Sequence, residues 1–313
     1  MFVILRLVHF AAIFVIPVVG LCVVMWTLVR SEGRAVRFAR GFGATCVLVG
    51  ALGLYSTHIE PTWLRVDRVA LDAPAPGTSD GFRVGVIADI QTDEFGEYEQ
   101  RAVDTLMAQE ADIVFVAGDI TQVGADSYDQ LAANASDTLG TLDASAGVFV
   151  VSGNTDPSAS AIDSMSRAAE LTPLNDQVSE MMIEGQKVRL LGIAWPNNRR
   201  ERVSELIVEF AAASRPDTID IVLAHSPDII LNVNDPASID LIVTGHTHGG
   251  QVQIPGYGPL WNVTELPREV AGGGLHEVRG VPLYVSTGVG VQRADAPQVR
   301  FGVRPSVGVI DIG

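Results

Sequence analysis

Cysteine and basic residues are scarce in this chain. It has only 2 cysteines in 313 residues, Cys22 and Cys46, and both fall in strongly apolar runs. The sequence therefore offers no disulfide framework and no thiolate metal site, and we expect both thiols to pack against other side chains. Lys and Arg number 21 against 37 Asp and Glu, which gives a net charge of −16. This balance argues against a nucleic-acid partner, because binding to phosphate backbones needs a basic face.

Outside residues 30–40, the first 57 residues carry a single charged side chain, Arg6. Residues 7–28 contain no Lys, Arg, Asp or Glu and reach the roughly 20 apolar residues that a transmembrane helix needs. No small-residue cleavage site follows this run, so we expect a retained anchor and not a removable signal peptide. The second apolar run, residues 41–55, is near the lower length limit, where a short span, an interfacial segment and a buried helix all fit. A second span over about residues 41–57 is the preferred interpretation.

The loop between the two runs, residues 30–40, is rich in arginine. It carries four Arg against Glu32 alone, and short Arg-rich loops stay on the cytoplasmic side of a membrane. If both runs span, the rest of the chain lies outside the cytoplasm; if only the first spans, it lies inside. We therefore expect a cell-membrane protein with an extracytoplasmic domain. Five Arg and two Glu give +3 up to Glu60, so the remainder carries −19 within the total of −16, which favours a solubilising acidic surface.

Strand-like and helix-like segments alternate after residue 81. A linker rich in Pro and Gly, residues 72–81, precedes the β-branched run "FRVGVIADI", and similar runs follow in "ADIVFVAGD", "GVFVVSGN", "KVRLLGIAW", "IDIVLAH" and "IDLIVTGH". The stretches between most of these runs have helical spacing. This alternation predicts an α/β fold. In such folds the active crevice lies beyond the carboxyl ends of the strands, so the residues at those ends are the informative ones.

Five of these strand ends carry a side chain that can bind a metal. One such residue alone would be a turn former or a helix cap, but five in series predict a metal site. Carboxylate, amide and imidazole ligands suit Mn, Fe, Zn or Mg. The remaining histidines lie near the apolar runs, except His276, which we expect in a loop. The strand-end residues are Asp89, Asp119, Asn154, His225, and the pair His246 and His248.

The ordered series resembles the calcineurin-like metallophosphoesterases. Their pattern is D-x-H, G-D-x-x-D, G-N-H-D or G-N-H-E, a lone H, and G-H-x-H, and the five blocks of this chain occur in that order. The segments "GHTHGGQVQIP", "PLYVSTGVG", "PQVRFGVRPSVGVIDI" and "HIEPTWLRVDRVALDAP" resemble the membrane-associated or exported branch of that family. The resemblance implies two β-sheets flanked by helices. It further implies a catalytic domain over residues 82–313. The apolar runs predict a membrane anchor over residues 1–57, and a linker with a leading strand over residues 58–81 joins the two.

The resemblance also implies two divalent ions, with manganese favoured, and assigns their ligands. Asp119 would bridge the ions. Two ions about 3.5 to 4 Å apart can clamp a phosphoryl group during displacement by water. The ligands and catalytic residues carried over for one ion are Asp89, Gln91, Asp119 and His248. Gln91 stands where the family has a ligand histidine. Those carried over for the other ion are Asp119, Asn154, His225 and His246.

Two positions depart from the family pattern. Gln91 replaces a ligand histidine, and a neutral amide is the poorer donor, so we expect the first ion to be held less tightly. Thr155 replaces the histidine that helps to protonate the leaving group, and a hydroxyl cannot act as an acid near neutral pH. We therefore expect a preference for pyrophosphates or for phosphodiesters with good leaving groups. Asp156 is expected either to orient a ligand or to cap the next helix.

The predicted function is a membrane-anchored, metal-dependent phosphohydrolase that acts on a lipid-linked or membrane-derived phosphodiester or pyrophosphate. The alternative is a pseudoenzyme that binds phospholipid or a protein partner through a degraded site, as Gln91 and Thr155 suggest. Phosphate-steering cations are few. Arg199 and Arg200 are candidates, although a solvated helix start is the preferred explanation. Residues 255–261, "PGYGPLW", are either a lipid-facing lip over the site or a loop with buried anchors.

Overall fold

The computed structural model describes residues 10–30, 33–72, 81–123, 128–195, 200–235, 238–293 and 297–313. Within these ranges the α-helices are α1 (Ile16–Leu28), α2 (Arg34–Leu54), α3 (Glu97–Met107), α4 (Tyr128–Leu139), α5 (Ala159–Ala168), α6 (Arg200–Ala212) and α7 (Arg268–Ala271). A 3-10 helix of six residues spans Pro227–Asn232. Short π and 3-10 turns extend α1 at its start, over Ala11–Val15, and α2 at its end, over Tyr55–Ile59 and Glu60–Thr62.

Helices α1 and α2 form an antiparallel pair. Small residues let them approach closely: a Cβ added to Gly20 would lie 2.5 Å from Cys46 Cβ, and one added to Gly50 would lie 2.0 Å from Pro17. At the turn, Arg40 of α2 donates to the Thr27 carbonyl oxygen at 3.1 Å, which satisfies the end of α1. Ala11–Leu28 and Arg34–Thr62 are both long and apolar enough to cross a membrane. Close packing through Gly is the usual way in which such helices associate.

Fourteen strands are described. In chain order they are β1 (Arg65–Leu71), β2 (Phe82–Ile87), β3 (Ile113–Ala117), β4 (Val148–Val151), β5 (Thr172–Pro173), β6 (Gln177–Ile183), β7 (Gln186–Ile193), β8 (Thr218–Ala224), β9 (Leu241–Thr244), β10 (Gln253–Ile254), β11 (Gly258–Pro259), β12 (Gly274–Val278), β13 (Val281–Val285) and β14 (Ser306–Ile312).

His276 therefore lies in strand β12, so its expected place in a loop was wrong. The reason is that β12 pairs with β13 in a hairpin around a tight turn at Arg279 and Gly280, whereas the mixed composition of β12 does not signal a strand.

The strands form two six-stranded sheets and one small hairpin. The first sheet has the order β1-β14-β2-β3-β4-β5, and the second has β12-β13-β9-β8-β7-β6. Strands β2 to β5 run parallel, as do β7, β8, β9 and β13, whereas β14 is antiparallel to β2. The parallel strands are buried along nearly their whole length, which explains why they read as continuous β-branched runs and not as alternating ones.

The two sheets pack face to face, with helices on their outer faces. Alternate residues of one strand serve different layers: Phe115 of β3 lies in the core between the sheets, while its neighbours Val114 and Val116 pack under α3, α4 and α5. Helix α6 covers the second sheet through Val203, Ile207 and Phe210. The expected α/β sandwich is confirmed. Its layers bring the carboxyl ends of parallel strands from both sheets to one side of the molecule.

Candidate metal centre

The predicted strand-end residues come together across the two sheets. Asp89, Asp119 and Asn154 follow β2, β3 and β4 of the first sheet, whereas His225 and His246 follow β8 and β9 of the second. Atoms of Asp89, Asp119 and His225 able to act as ligands all lie within 4.8 Å of one another, and all three residues are buried. The edges of two separate sheets thus meet at one polar cluster, as the carboxyl ends of parallel strands in α/β folds do.

Most of these residues have left-handed backbone conformations. The φ angles are 51° at Asp89, 44° at Gln91, 53° at Asp119, 75° at His246 and 50° at His248. Such angles are uncommon for residues other than glycine and cost of order 1–3 kcal/mol each where the surroundings impose them. Each angle turns the chain sharply at a strand end, so that the side chain faces the neighbouring sheet. Backbone strain of this kind concentrates at functional sites.

His225 lies at the centre of the cluster. Its Nε2 atom is 2.9 Å from Asn154 Oδ1 and 3.3 Å from Asp119 Oδ1, and it lies 3.2 Å from His246 Nδ1. Its other nitrogen, Nδ1, is 2.9 Å from the Ala117 carbonyl oxygen and must donate to it. In the neutral imidazole the Nε2 lone pair then faces two oxygen acceptors. That arrangement needs either a proton on Nε2 or a cation between these atoms.

The cluster continues on the far side of Asp119. Gln91 Nε2 donates to Asp119 Oδ2 at 2.6 Å, and His248 Nε2 lies 3.8 Å from Asp89 Oδ1. Within the described ranges, both ring nitrogens of His248 and the Gln91 Oε1 atom are buried without a hydrogen-bond partner. Buried polar atoms are nearly always paired, so such atoms indicate a ligand or ion that completes them.

The electrostatics of the cluster also favour a cation. Burial raises the pKa of Asp89 to about 7, and the nearby Asp119 charge adds to the effect. Burial opposes protonation of His225, but Asp119 and Asp89 outweigh it and raise its pKa to about 9. Burial lowers the pKa of His246 and of His248 to about 3. The buried Asp89 and Asp119 carboxylates lie beside two neutral imidazoles, and positive charge reaches them from His225 and from the Arg300 guanidinium. Bound cations would add positive charge where the oxygen and nitrogen donors converge.

Asp156 holds the Asp119 turn in place. Its carboxylate accepts the backbone N–H groups of Gly153 at 2.8 Å, Asp119 at 3.0 Å and Ile120 at 2.9 Å. The next helix is capped by Ser158, whose hydroxyl accepts the Ala161 N–H. Of the two roles expected for Asp156, helix capping was therefore wrong, because Ser158 lies closer to the helix start. Asp156 supports a predicted ligand instead.

The Thr155 hydroxyl is directed at the protein backbone. Its backbone N–H donates to Asp119 Oδ1 at 2.8 Å, and its hydroxyl donates to the Thr121 carbonyl oxygen at 2.8 Å. The hydroxyl proton is thus engaged with the backbone. The residue stabilises the Asp119 turn in the place where the family pattern has a histidine.

Three contacts near the cluster escaped the sequence reasoning. The indole of Trp195 lies 5.9 Å from the His225 ring and 5.8 Å from the His246 ring. It closely follows strand β7, so the strand-end signal could have found it. Arg300 is fully buried and donates to the carbonyl oxygens of Thr287 at 2.7 Å and Gly288 at 3.1 Å. The Ala117 carbonyl contacts His225 through the backbone, and Arg300 binds backbone carbonyls. The sequence carries no signal for contacts of either kind.

The remaining predictions concern the two arginines Arg199 and Arg200 and the segment 255–261. Arg199 lies outside the described residues, and Arg200 is described only as the first residue of α6. Tyr257 and Trp261 of the segment 255–261 are 57% and 63% exposed, so they are not buried anchors. The small hairpin made by β10 and β11 holds this segment together.

The site is a buried cluster of carboxylate, amide and imidazole donors at the strand ends of an α/β sandwich. This arrangement is typical of metal-dependent hydrolases. The chain belongs to the calcineurin-like phosphoesterase family, whose model matches residues 82–250, more than half of its length. The expected family is confirmed. The chain is thus a metallophosphoesterase, a hydrolase that acts on phosphate esters, and the buried Asp and His donors fit the metal dependence of the family.

Similar proteins cover nearly the whole chain. It is 27% identical over 289 residues to the phosphodiesterase YaeI of Escherichia coli (strain K12), which covers 88% of this chain and 98% of that protein. It is 24% identical over 272 residues to a metallophosphoesterase of Bacillus subtilis (strain 168), YkuE, with 82% and 88% covered. Among solved structures, the 5'-nucleotidase precursor from Thermus thermophilus aligns with a TM-score of 0.45 at 11% identity. That alignment covers 74% of this chain and 54% of the other, so the chain spans about half its length.

Proposed function

We propose that the protein is a membrane-anchored phosphohydrolase with two divalent metal ions, which cleaves a lipid-linked or membrane-derived phosphodiester or pyrophosphate. The observation that carries this proposal is the geometry at His225. A single imidazole nitrogen, whose tautomer the Ala117 carbonyl selects, faces Asp119 and Asn154 oxygens and a second imidazole within 3.3 Å. A divalent cation satisfies all of these atoms at once, whereas a single proton satisfies only one acceptor well.

The donors divide into two sets around Asp119. Asp119 Oδ1 lies toward His225, and Asp119 Oδ2 lies toward Gln91. When bound, the ions would neutralise the phosphate oxygens and make a water molecule a better nucleophile. Oxygen and imidazole donors without thiolate suit Mn, Fe, Zn or Mg, and of these we propose manganese. The proposed sets are Asp89, Gln91, Asp119 and His248 for the first ion, and Asp119, Asn154, His225 and His246 for the second.

The leaving group follows from Thr155. Its hydroxyl proton is engaged with the Thr121 carbonyl. His225, His246 and His248 are all assigned to the metal ions, so no imidazole of the cluster would be free to protonate a leaving group. Substrates whose leaving group is stable as an anion, such as a phosphate or an activated alcohol, do not need a protein acid. We therefore propose pyrophosphates or activated phosphodiesters as the preferred bonds.

The membrane assignment concerns residues 1–57. Helix α2 has 21 residues and continues in helical turns to Thr62, which is longer than the apolar run of residues 41–55 alone. At 1.5 Å per residue, the 29 residues from Arg34 to Thr62 exceed the roughly 30 Å hydrocarbon thickness. The expected loop over residues 30–40 was wrong in extent, because helix α2 begins at Arg34 and carries three of the four arginines in its first turns. Two spans with these arginines inside leave the catalytic domain, residues 82–313, outside the cytoplasm. The intervening residues 58–81 contain β1, which pairs with β14 of the catalytic sheet.

A binding protein with a degraded site is the second candidate. One observation favours it: Gln91 presents its amide nitrogen, and not its oxygen, to Asp119. A metal ligand would need the oxygen in that place, which requires the amide to turn over. The remaining donors are complete, so hydrolysis is the better supported function.

The deciding experiment measures metal content and hydrolysis on the full chain in detergent or lipid nanodiscs. We expect bound metal by mass spectrometry and Mn²⁺-dependent hydrolysis of bis-p-nitrophenyl phosphate. Asp119→Asn should reduce the rate by more than about a hundredfold, because even a residue that only supports a metal ligand costs about 10–100-fold when replaced. The exposed Asp143→Asn is the matched control. A wild-type chain with little metal and no hydrolysis would favour the binding protein, and equal rates in wild type and Asp119→Asn would mark a contaminating activity.

A further inference from the structure

The segment that follows the histidine pair exposes a cluster of large apolar side chains. Residues 253–263, here called the interfacial hairpin, comprise β10, β11 and the flank that follows. Five of their side chains are between 40% and 63% exposed: Ile254, Tyr257, Leu260, Trp261 and Val263. Among the described residues after Leu71, the other exposed large apolar side chains are scattered on the surface, at Val178, Met182, Val208 and Leu231. Clustered apolar exposure marks an interaction surface.

The interfacial hairpin is an ordered structure. The Tyr257 N–H donates to the Ile254 carbonyl at 3.0 Å, and the Leu260 N–H donates to the Val252 carbonyl at 2.8 Å. Arg268 donates to the Pro259 and Leu260 carbonyls, and its guanidinium lies 4.5 Å from the centre of the Tyr257 ring. The backbone therefore holds the apolar side chains outward, although no part of the described chain covers them.

The base of the interfacial hairpin adjoins the point where helix α2 enters the domain. The Phe301 carbonyl accepts the Gln253 N–H at 2.7 Å, and the Phe301 ring meets the Tyr55 ring edge to face with centroids 6.4 Å apart. The next residue back, Arg300, donates its backbone N–H to the Ser56 carbonyl at 2.8 Å. One short chain of contacts thus joins the end of α2, Phe301 and the hairpin. If α2 crosses a bilayer, the hairpin lies at the surface of that bilayer.

A second aromatic group lies beside the same entry point. Trp63 is 51% exposed, and the Arg304 guanidinium lies 4.2 Å from its ring centre while it donates to the Trp63 carbonyl at 2.8 Å. Trp and Tyr are enriched at the interface between membrane and water, and arginine places its charge there beside lipid phosphates. Tyr257 with Arg268 and Trp63 with Arg304 repeat this arrangement on neighbouring parts of the surface.

The interfacial hairpin also packs directly on the histidine motif. A Cβ added to Gly250 would lie 2.5 Å from Pro259 Cβ and 2.7 Å from the Trp261 carbonyl oxygen. The turn that carries His248 therefore sits against the flank that carries Trp261. A bilayer in contact with Trp261 would lie close to the turn that carries His248.

We propose that the interfacial hairpin docks on the surface of the bilayer that holds α1 and α2, and that it directs the metal centre toward the phosphate groups of membrane lipids. The inference rests on the proposed membrane anchoring and deepens the proposed function, because it names phospholipid-type diesters as the substrate class. The contact is apolar and aromatic, so it does not depend on anionic lipids, which would repel a chain with a net charge of −16.

Spin labels on the full chain in phosphatidylcholine proteoliposomes test the docking. In a background with Cys22→Ala and Cys46→Ala, single cysteines are introduced by Trp261→Cys, Val208→Cys and Leu48→Cys. Val208, on α6, is 48% exposed and is the matched surface control, while Leu48 of α2 reports on anchoring. We expect collisions with a water-soluble nickel reagent to be about tenfold fewer at position 261 than at position 208, with oxygen collisions enhanced.

The outcomes separate this inference from the proposed anchoring. If position 48 contacts lipid and position 261 is as exposed to nickel as position 208, the docking is wrong and the anchor stands. If position 48 is itself in water, the anchoring fails and the docking fails with it. The measurement needs no enzymatic activity, so it decides the docking even if the chain does not hydrolyse any ester.

A matched pair of substrates tests the substrate class. Bis-p-nitrophenyl phosphate is soluble, and phosphatidyl-p-nitrophenol in the same vesicles offers the same leaving group on a lipid. We expect the double variant Tyr257→Ser with Trp261→Ser to lower the lipid rate about tenfold and to leave the soluble rate unchanged, since removal of two membrane-contacting aromatics weakens interfacial binding. Val208→Ser should change neither rate. Equal losses on both substrates, or no loss on the lipid, would overturn the inference.

Discussion

The His225 side and the His248 side of the proposed metal centre differ in how closely their atoms approach. On the first side, three polar atoms lie within 3.3 Å of His225 Nε2. On the second, His248 Nε2 is 3.8 Å from its nearest carboxylate and has no hydrogen-bond partner among the described residues. Gln91 adds only a neutral amide there. The His225 side is therefore organised for a cation in advance, while the His248 side must rearrange to bind one.

Preorganisation has a direct consequence for metal affinity. A site whose donors already converge loses less conformational freedom when the ion binds. Asp119 belongs to both sides, so its two oxygens couple the ions. We therefore expect a tightly held ion on the His225 side and a more exchangeable one on the His248 side.

Removal of each histidine in turn gives the largest expected effect. His225→Ala should strip the tightly held ion and lower hydrolysis by more than about a hundredfold, because the loss of a ligand exceeds the 10–100-fold cost of losing its support. His248→Ala should keep about one ion per chain and recover part of its activity at high Mn²⁺. Metal content by mass spectrometry and the rate on bis-p-nitrophenyl phosphate decide between them.

His276→Ala is the control for this pair. Its ring contacts the Gly273 carbonyl at 3.1 Å, in strand β12 and outside the cluster, so metal content and rate should both stay near the wild-type values. Equal loss of metal from His225→Ala and His248→Ala would contradict the difference between the two sides.

Sequence reasoning went furthest where a side chain follows a buried strand. Asp89, Asp119 and His225 each come after a β-branched run, and carboxyl ends of parallel strands converge, so their meeting was predictable. The insertion of β14 between β1 and β2 was not, because antiparallel pairing across the whole chain leaves no local pattern. The Ala117 carbonyl, which selects the His225 tautomer, was also beyond reach, since every residue has a carbonyl.

Asp156 offers a smaller perturbation of the shared ligand. Asp156→Asn replaces a carboxylate that accepts several backbone N–H groups with an amide that also donates, so the Asp119 turn should loosen. We expect metal affinity to fall about 10–100-fold, the usual cost of removing a group that orients a ligand. Metal titration by calorimetry measures the change. Asp143→Asn provides the control, and unchanged affinity with an unchanged melting temperature would show that Asp156 does not support Asp119.

A substitution at Thr155 can introduce a general acid on the His225 side, which lacks one. Thr155→His introduces an imidazole beside Asn154, which can protonate a leaving group. We expect the rate on a dialkyl phosphodiester with a poor alkoxide leaving group to rise about tenfold relative to bis-p-nitrophenyl phosphate, which is less than the roughly 100- to 10,000-fold of a well-positioned general acid. The ratio of the two rates is the measurement, because changes in folding or metal content cancel in it. A ratio that stays constant would contradict the assigned lack of an acid.

Gln91 gives the smallest expected effect and the sharpest test of the difference between the two sides. Gln91→His replaces an amide whose nitrogen faces Asp119 with an imidazole that can bind metal through a lone pair. The His248 side should then hold its ion several-fold to about tenfold more tightly, and half-maximal activity should need less Mn²⁺. The affinity of the His225 side should change less, because Gln91 reaches that side only through the shared Asp119 carboxylate. Titration of metal-stripped chain with Mn²⁺, followed by electron paramagnetic resonance, resolves the two ions. If the substitution weakens binding instead, then the Gln91 hydrogen bond to Asp119 is itself what organises the His248 side, and the two sides are more alike than their distances indicate.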